Sequence, residues 1–286
     1  MEPKIATSGG VFDQLVFTPM RHSLIVFLTE TKRLVAYRAQ FWFELILSSL
    51  VELVVAISVW QAVFASSGAQ ELNGYSIQSM VLYITVAIFF GQATKGTGVG
   101  TFQREVYEGT LTKYLIFPLS VYSYKFGTYM PRALFAVVQL LVGLTLMYVL
   151  GYWPESTSIS LGSVLIGFCA LFLACLLYFF LIIALEAFSF WADNVWALSY
   201  ALQIAIVFLS GKAIPLEFFP QWIEGLIRFT PFPYLAYVPA KIFLGQMHGA
   251  DIGLAFVVLG SWVLLAYGMS KIVMNRGLRN YTGVGQ

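Results

Sequence analysis

The apolar run ISLGSVLIGFCALFLACLLYFFLIIAL, from Ile159 to Leu185, contains no charged residue. A helix of about 20 such residues is long enough to span the hydrocarbon core of a bilayer. The 286-residue chain as a whole has a mean hydropathy of +0.80. Only 10% of its residues are charged, against about 25% in soluble domains. So few charges cannot cover a soluble globule of this size, and the sequence therefore predicts a membrane protein.

Six apolar segments along the chain predict an all-α membrane protein with six transmembrane helices. The fifth segment is shorter than the about 20 residues that a span needs, and the fourth is longer. The segments are Phe41–Ala65, Tyr75–Thr94, Phe126–Leu150, Ile159–Leu185, Val195–Gly211 and Ile252–Met274. We expect a single transmembrane domain over residues 1–286, with a cytoplasmic tail at 1–40, a cytoplasmic segment at 95–125 and an outer region at 212–250.

Lysine and arginine are enriched in the loops that face the cytoplasm. In this chain they occur before the first span, in the connection 95–125 and after the last span. With six spans these three regions share one side, and the connections 66–74 and 151–158 on the other side contain none. Only the connection 212–250 departs from the pattern, because it contains lysine and arginine although it is predicted to lie on the outer side. We therefore predict a multi-pass protein of the cell (inner) membrane with both termini in the cytoplasm.

Two further segments are helical in pattern but are not expected to span the bilayer. Apolar residues between Leu24 and Val35 recur at helical spacing, which predicts an amphipathic helix on the cytoplasmic interface before the first span. Residues 216–229 also have one apolar and one polar side, which predicts a second such helix on the outer side. A segment of this kind lies on the membrane or re-enters it where protein or water covers its backbone.

Four charged residues fall inside or at the ends of predicted spans: Glu44, Glu52, Arg132 and Glu186. Glu52 lies about 16 Å into the first span, where a charge facing lipid costs at least roughly 2.5–3.5 kcal/mol. By depth, Arg132 falls between the two glutamates of the first span, so we expect it to be their partner. The sequence thus predicts a polar cluster in the inner leaflet. A structural ion pair and a substrate contact are equally consistent with it.

Several other functions are not supported by the residues present. The stretch GQATKGTGVGTF, residues 91–102, is not a phosphate-binding loop, because Lys95 precedes Gly96 and the preceding segment is a span. We interpret it as a flexible or closely packed helix exit. The two cysteines and two histidines match no metal or redox spacing. A net charge of +2 gives no reason to expect nucleic acid as a partner, and no HExxH or GxSxG motif indicates an intramembrane enzyme.

Two stretches, together with the six-span plan, carry a family resemblance. One is Arg104-Glu105-Val106-Tyr107-Glu108-Gly109-Thr110-Leu111, followed by Pro118. The other is Ile214-Pro215-Leu216-Glu217-Phe218-Phe219-Pro220-Gln221-Trp222, followed by Pro231-Phe232. The first is similar to an "E-G-T-L … P" segment between the second and third spans, and the second resembles a "P-x-x-x-x-P-x-W … P-F" re-entrant region. The chain thus resembles the permease subunits of ATP-binding-cassette (ABC) transporters of the type-two exporter class.

This resemblance implies specific roles and partners. Residues 102–118 would form a coupling helix that docks into a separate ABC ATPase, and residues 216–245 an outer re-entrant helical pair. The coupling residues would be Arg104, Glu105, Glu108, Gly109, Thr110, Leu111 and Pro118, and the outer gate Pro215, Phe218, Phe219, Pro220, Trp222 and Pro231. A second permease copy would enclose the substrate path. ATP and Mg²⁺ would bind only to the partner ATPase, so this chain would hold no cofactor and would not be an enzyme.

The expected function is therefore export of an amphiphilic, lipid-like or drug-like substrate from the cytoplasm or inner leaflet, powered by ATP hydrolysis in the partner subunits. The alternative is a proton-coupled secondary transporter in which Glu52 relays the proton. The chain shows no clear inverted repeat, which counts against this alternative.

Overall fold

The computed structural model describes residues 20–36, 38–96, 100–116, 120–154, 159–192 and 195–281. Regular structure in these residues is almost entirely helical, which confirms the all-α class. The first half contains α1 (Met20–Ala36), α2 (Arg38–Ser67), a small hairpin of β1 (Glu71–Leu72) and β2 (Tyr75–Ser76), α3 (Ile77–Lys95), α4 (Thr101–Tyr107), α5 (Lys113–Ile116) and α6 (Val121–Val149). The second half contains α7 (Leu161–Glu186), α8 (Trp196–Leu209), α9 (Gln221–Ile227), α10 (Tyr237–Phe243) and α11 (Ala250–Asn280).

Five helices among the described residues are long and apolar enough to cross a membrane, namely α2, α3, α6, α7 and α11. They correspond to the first four predicted spans and the last. The fifth predicted span is α8, which has 14 residues. At about 1.5 Å per residue it covers roughly 21 Å, which is less than the roughly 30 Å of a hydrocarbon core. A count of six complete spans therefore stays a prediction.

Serine side chains start three of the long helices. Ser76, Ser120 and Ser160 precede α3, α6 and α7, and each hydroxyl accepts a hydrogen bond from the backbone N–H three residues later. Such caps satisfy donors that the first turn of a helix leaves unpaired. At its other end, α3 stops at Gly96, whose φ is +50° and where a Cβ atom would lie 2.1 Å from the Tyr129 ring. The glycine-rich stretch therefore begins as a closely packed helix exit, as the sequence predicts.

Helix α8 ends inside the bundle because tertiary hydrogen bonds replace its next turn. Gly211 follows it with a φ of +74°, which favours glycine. The carbonyl of Gly211 accepts a 2.7 Å hydrogen bond from the Tyr83 hydroxyl, and the carbonyl of Ser210 accepts one from the Tyr237 N–H at 3.0 Å. The chain then turns back through 3₁₀ turns and the two short helices α9 and α10.

The continuous amphipathic helix predicted over residues 216–229 is wrong in its extent. A 3₁₀ turn covers Leu216–Phe218, and the α-helix begins only at Gln221. Pro220 has a ψ of 142° and no N–H group to donate, so a helix running from residue 216 is interrupted there. Helix α10, by contrast, lies deep in the protein, with Ile242 and Phe243 buried.

The core of the bundle is formed by α3 and α7. In the most apolar window of α3, 67% of the residues are buried, and in α7 50% are. The corresponding share is only 17% in α2, α6 and α11, so these helices direct most of their surface away from the protein. Helix α1 packs on α6, where a Cβ atom on Gly127 would lie 2.9 Å from the Ser23 carbonyl oxygen. The predicted N-terminal helix is thus present and lies beside α6.

We predict that Gly167→Ala destabilises the fold. A Cβ atom there would lie 2.7 Å from the Phe243 Cα and 2.9 Å from its N, so α7 and α10 must move apart. Overpacking of this kind costs about 1–3 kcal/mol. Gly260→Ala in α11 is the matched control, because nothing lies within 4 Å of its added Cβ. Thermal unfolding in detergent should show a lower Tm for the first variant alone; equal Tm values for both would contradict the close packing.

Candidate functional site

The segment between α3 and α6 has a buried side and an exposed side. Helix α4 ends at Tyr107, Gly109 follows with a φ of +72°, and a 3₁₀ turn covers Thr110–Thr112. The helical course of the segment is thus interrupted at Gly109–Thr110. Phe102, Val106 and Leu111 are buried, whereas Arg104, Tyr107, Glu108 and Thr110 are exposed. Pro118 lies outside the described residues. We refer to residues 100–116 as the coupling segment.

Glu186, at the end of α7, fixes the start of the coupling segment. One carboxylate oxygen accepts a 2.6 Å hydrogen bond from the Gly100 N–H, and the other accepts one from the Phe102 N–H at 2.8 Å. The residue is only 3% exposed. Hydrogen bonds to a charged group are stronger than neutral ones, and they satisfy donors that α4 itself leaves unpaired. The last residue of a span is therefore bonded directly to the coupling segment.

Glu105 forms a second anchor on the buried side of the segment. Its carboxylate lies 2.8 Å from the Lys113 ammonium and 2.9 Å from that of Lys125 in α6. The Tyr114 hydroxyl donates to the same carboxylate, and burial together with this negative charge raises the pKa of Tyr114. Glu105, like Leu111, thus belongs to the base of the segment and is not part of its exposed side.

Aromatic packing connects the segment to the last helix. The Phe102 ring lies 5.9 Å from that of Phe190, in the 3₁₀ turn after α7, and Phe190 lies 6.1 Å from Tyr281. The hydroxyls of Thr112 and Tyr281 are 3.4 Å apart. A Cβ atom on Gly277 would lie 2.0 Å from the Phe190 ring, so α11 passes very close to it. The coupling segment therefore contacts the ends of α6, α7 and α11.

Among the described members of the predicted intramembrane cluster, Glu52 and Glu186 have partners other than Arg132. Glu52 forms an ion pair with Lys212 and accepts a 3.1 Å hydrogen bond from Gln92, while Glu186 is occupied by the coupling segment. The Nε atom of Arg132 is buried and has no hydrogen-bond partner among the described residues. The side chain of Glu44 lies outside them. The pairing of Glu52 with Arg132 is therefore corrected to one with Lys212.

The reason for this correction is the early end of α8. The helix ends at Leu209 instead of continuing across the bilayer. Lys212, three residues later, therefore remains inside the bundle rather than at its outer surface. Its stem crosses Gly91, where a Cβ atom would lie 2.7 Å from the lysine Cδ. Two sequence signals pointed to this arrangement: the shortness of the fifth segment and a lysine directly after it.

A second polar cluster, which the sequence did not predict, holds the re-entrant region. Glu217 accepts hydrogen bonds from Tyr237 at 2.8 Å and from Lys241 at 2.7 Å. The Lys241 ammonium also lies 4.8 Å from the centroid of the Tyr75 ring, a cation–π contact. The Asn73 side chain donates to the Glu217 backbone carbonyl at 2.9 Å, which connects the β1–β2 hairpin to this region.

The predicted outer gate residues occupy two different environments. Pro215 is buried, and Phe218 packs edge-on against Trp60 with ring centroids 4.7 Å apart. Phe219 and Pro231 are half-buried, whereas Pro220 is exposed and Trp222 is 70% exposed. The first part of the motif therefore packs into the bundle, and the tryptophan points away from it. A gating role for these residues remains a prediction.

We predict that Glu186→Gln loosens the coupling segment. Glutamine keeps one acceptor oxygen but presents an amide donor to the second N–H, so one of the two hydrogen bonds is lost. The backbone amides of residues 100–107 should exchange with deuterium about tenfold faster. Glu224→Gln, in the exposed pair with Arg228, is the control and should leave them unchanged. Unaltered protection in Glu186→Gln would rule out the anchoring role.

We also predict that Lys241→Met destabilises the protein more than a double variant does. The single change leaves the Glu217 carboxylate without its cation, and removal of one partner of this partly buried pair costs about 2 kcal/mol. Glu217→Gln/Lys241→Met removes the charge as well and should recover at least half of the loss. The free energy of unfolding in mixed micelles measures both. Lys32→Met, at an exposed site on α1, serves as the control.

Comparison with known proteins agrees with this arrangement of long apolar helices. Among curated proteins, no relative matches the chain. The family model described as "ABC-2 family transporter protein" matches residues 50–285, which include the coupling segment, the re-entrant region and all helices from the second half of α2 onward. Since this match covers far more than half of the chain, the protein belongs to the ABC-2 family of transporters and is an integral, multi-pass membrane subunit of an ABC transporter.

Proposed function

We propose that this permease subunit exports an amphiphilic, lipid-like or drug-like substrate from the cytoplasm or inner leaflet, powered by ATP hydrolysis in separate ABC ATPase subunits. The proposal places both termini and the coupling segment in the cytoplasm of the cell that carries the protein in its (inner) membrane. ATP and Mg²⁺ would bind to the ATPase alone, and a second permease copy would complete the transporter.

The two-sided coupling segment is the observation that carries this proposal. Its exposed side has the side chains of Arg104 and Glu108, which are 77% and 53% exposed and form a loose pair at 3.9 Å. Tyr107, between them, is 50% exposed. An exposed aromatic residue flanked by charges of both signs is suited to a polar protein interface. An ATPase of this transporter family is the partner that such a surface fits.

Anchoring on the opposite side supports a mechanical role. Glu186 connects the segment to α7, Lys125 connects it to α6, and Tyr281 connects it to the end of α11. A movement of the exposed side would therefore act on three long helices at once. Coupling between distant sites can be carried by a contiguous set of contacts that has two alternative arrangements. ATP binding to the ATPase would favour one of these two arrangements and so one of two access states.

A second copy would account for the apolar surface that the chain leaves exposed. Val51, Val55 and Val59 on α2 are more than half exposed, as are Trp196 and Ile204 on α8. Lipid covers such surfaces in a bilayer, and a second permease copy covers part of them in the proposed assembly. The substrate path would then run between the two copies.

The proton-coupled alternative is not favoured. Glu52, its proposed relay, is held by Lys212 and Gln92. The family assignment also points to ATP as the energy source.

The test is co-purification with the ABC ATPase encoded by a neighbouring gene, together with hydrolysis stimulated by substrate. Glu108→Arg reverses a charge on the exposed side, and Gly109→Pro forces φ to about −65° where the native value is +72°. Both should weaken ATPase association or coupling by about tenfold.

Glu71→Arg is the matched control, an exposed charge reversal in the β1–β2 hairpin. It should behave as the unmodified protein. If Glu108→Arg and Gly109→Pro left both association and coupling intact, the coupling role of this segment would be disproved.

A further inference from the structure

Arg132 is a cation within the spanning helix α6. It lies eleven residues after Val121, about 16 Å along the helix axis. Lys125, on the same helix, is bonded to Glu105 at the base of the coupling segment, so Arg132 lies about 10 Å farther into the membrane. A charge at such a depth is unfavourable unless water or an opposite charge reaches it. Arg132 therefore needs a counter-ion.

The structure shows no partner for Arg132 among the residues it describes. Its Nε atom is buried and makes no hydrogen bond. The residue as a whole is half-buried, and its two terminal nitrogens are bonded to no described residue and keep accessible surface. These two nitrogens can therefore meet a ligand that approaches α6 from the membrane.

The described carboxylates of the protein do not supply the counter-ion. In the described parts of α2, α3, α6 and α7 they are Glu52 and Glu186. Glu52 is paired with Lys212, and both oxygens of Glu186 accept hydrogen bonds from the coupling segment. A second copy would bring the same residues with the same partners. The remaining sources are a ligand and Glu44, whose side chain lies outside the described residues.

The surface of α6 beyond Arg132 changes from polar to apolar. Gln139 follows one heptad later, about 10 Å farther along the axis and within about 20° around it, and is also half-buried. Leu146 continues this line after another seven residues and is 57% exposed, and Val142 nearby is 63% exposed. A cation, an amide and an apolar surface thus follow one another from the inner leaflet toward the outer side. An inner-leaflet amphiphile has its head group, its polar linkage and its tail in the same order.

The chemistry of arginine defines the head group. A guanidinium group is planar, stays charged and presents parallel N–H donors that match the two oxygens of a phosphate or carboxylate. It is also weakly hydrated, so it loses less than an ammonium group does when it leaves water. Basic sites between spanning helices on the cytoplasmic side are suited to anionic head groups in general.

We propose that Arg132 binds the anionic head group of a mobile amphiphile from the inner leaflet, with the tail along the Gln139–Leu146 face of α6. The inference names the substrate class of the proposed export function and rests on that function for the transport of the ligand. Binding at this site would act on the helix that carries Lys125, one of the anchors of the coupling segment.

The experiment measures saturable binding of radiolabelled decyl phosphate to the full-length chain in phosphatidylcholine nanodiscs, with empty nanodiscs as background. We expect decyl phosphate to bind, and decanol and decyltrimethylammonium to compete about tenfold more weakly than unlabelled decyl phosphate. Equal competition by decanol or by the cation would overturn the recognition of an anion. Equal competition by inorganic phosphate would overturn the amphiphile.

A second arm separates a mobile amphiphile from a resident membrane lipid. Nanodiscs in which phosphatidylglycerol replaces part of the phosphatidylcholine supply an anionic phospholipid in excess. Undiminished binding of decyl phosphate in these nanodiscs supports the proposal. Loss of binding would assign Arg132 to a phospholipid of the membrane and overturn its assignment to the exported substrate.

Variants assign the binding to Arg132. Arg132→Gln removes the charge and should weaken binding about tenfold. Arg132→Lys keeps the charge but loses the paired donors, so it should weaken binding less. Arg276→Gln, at an exposed arginine near the end of α11, is the matched control and should bind as the unmodified protein does. Unchanged affinity in Arg132→Gln would place any binding elsewhere.

Thermal unfolding distinguishes a ligand from Glu44 as the counter-ion. Without ligand, Arg132→Gln should have a higher Tm than the unmodified protein, because the variant removes a cation that has no partner. Excess decyl phosphate should raise the Tm of the unmodified protein and leave that of the variant unchanged. A lower Tm of the ligand-free variant would show that Arg132 is paired within the chain, and would overturn the proposal.

The outcome is separable from that of the proposed function. ATPase association and coupling with no binding of decyl phosphate would overturn the inference on Arg132 alone. Binding that depends on Arg132, without any ATPase association or stimulated hydrolysis, would leave a lipid-binding membrane protein and overturn the proposed export mechanism.

Discussion

At the end of α7, a buried carboxylate binds two backbone N–H groups of a segment that lies more than 80 residues earlier in the chain. A carboxylate in this position would be strongly unfavourable without donors around it. The donors would in turn lack partners, because the first turn of a short helix cannot satisfy its own N–H groups. Glu186 and the start of α4 therefore require each other. The orientation of the coupling segment follows from this pairing, and Glu105 and Phe190 complete its base.

A second constraint acts at the end of α8. Once the chain leaves the helix at Ser210, its carbonyl groups must find donors inside the bundle, since lipid offers none. Tyr83, Trp60 and the Tyr237 N–H provide them. This explains why the re-entrant region can return through the protein without regular hydrogen bonding. It also places Lys212 next to Glu52, where a cation would otherwise be unfavourable.

Structural features that have local causes could be predicted from the sequence. The fourth apolar segment, predicted as Ile159–Leu185, is α7 at Leu161–Glu186, because apolar length and a serine cap define such a helix. The break at Gly109 also has a local cause. The partners of Glu186 and Glu52 could not be predicted, since each depends on where a distant segment returns. Depth in the membrane and opposite charge suggested Arg132, but the early end of α8 brings Lys212 to Glu52. The exact roles of the outer motif residues depend in the same way on tertiary packing. The break of the predicted helix at Pro220, by contrast, has a local cause, because proline has no N–H group to donate.

Two close contacts lie along a single helix. Gly167 of α7 contacts α10 of the re-entrant region, and Glu186 holds the coupling segment. They are separated by about 28 Å along the helix axis. A close-packed helix moves as a unit rather than deforming continuously. Sliding α7 against α3 or α10 would disrupt contacts near Gly167 that have no spare room. We therefore expect the change between access states to occur where burial is least, at α2, α6 and α11, or between permease copies, with α7 carrying the displacement of the coupling segment to the re-entrant region.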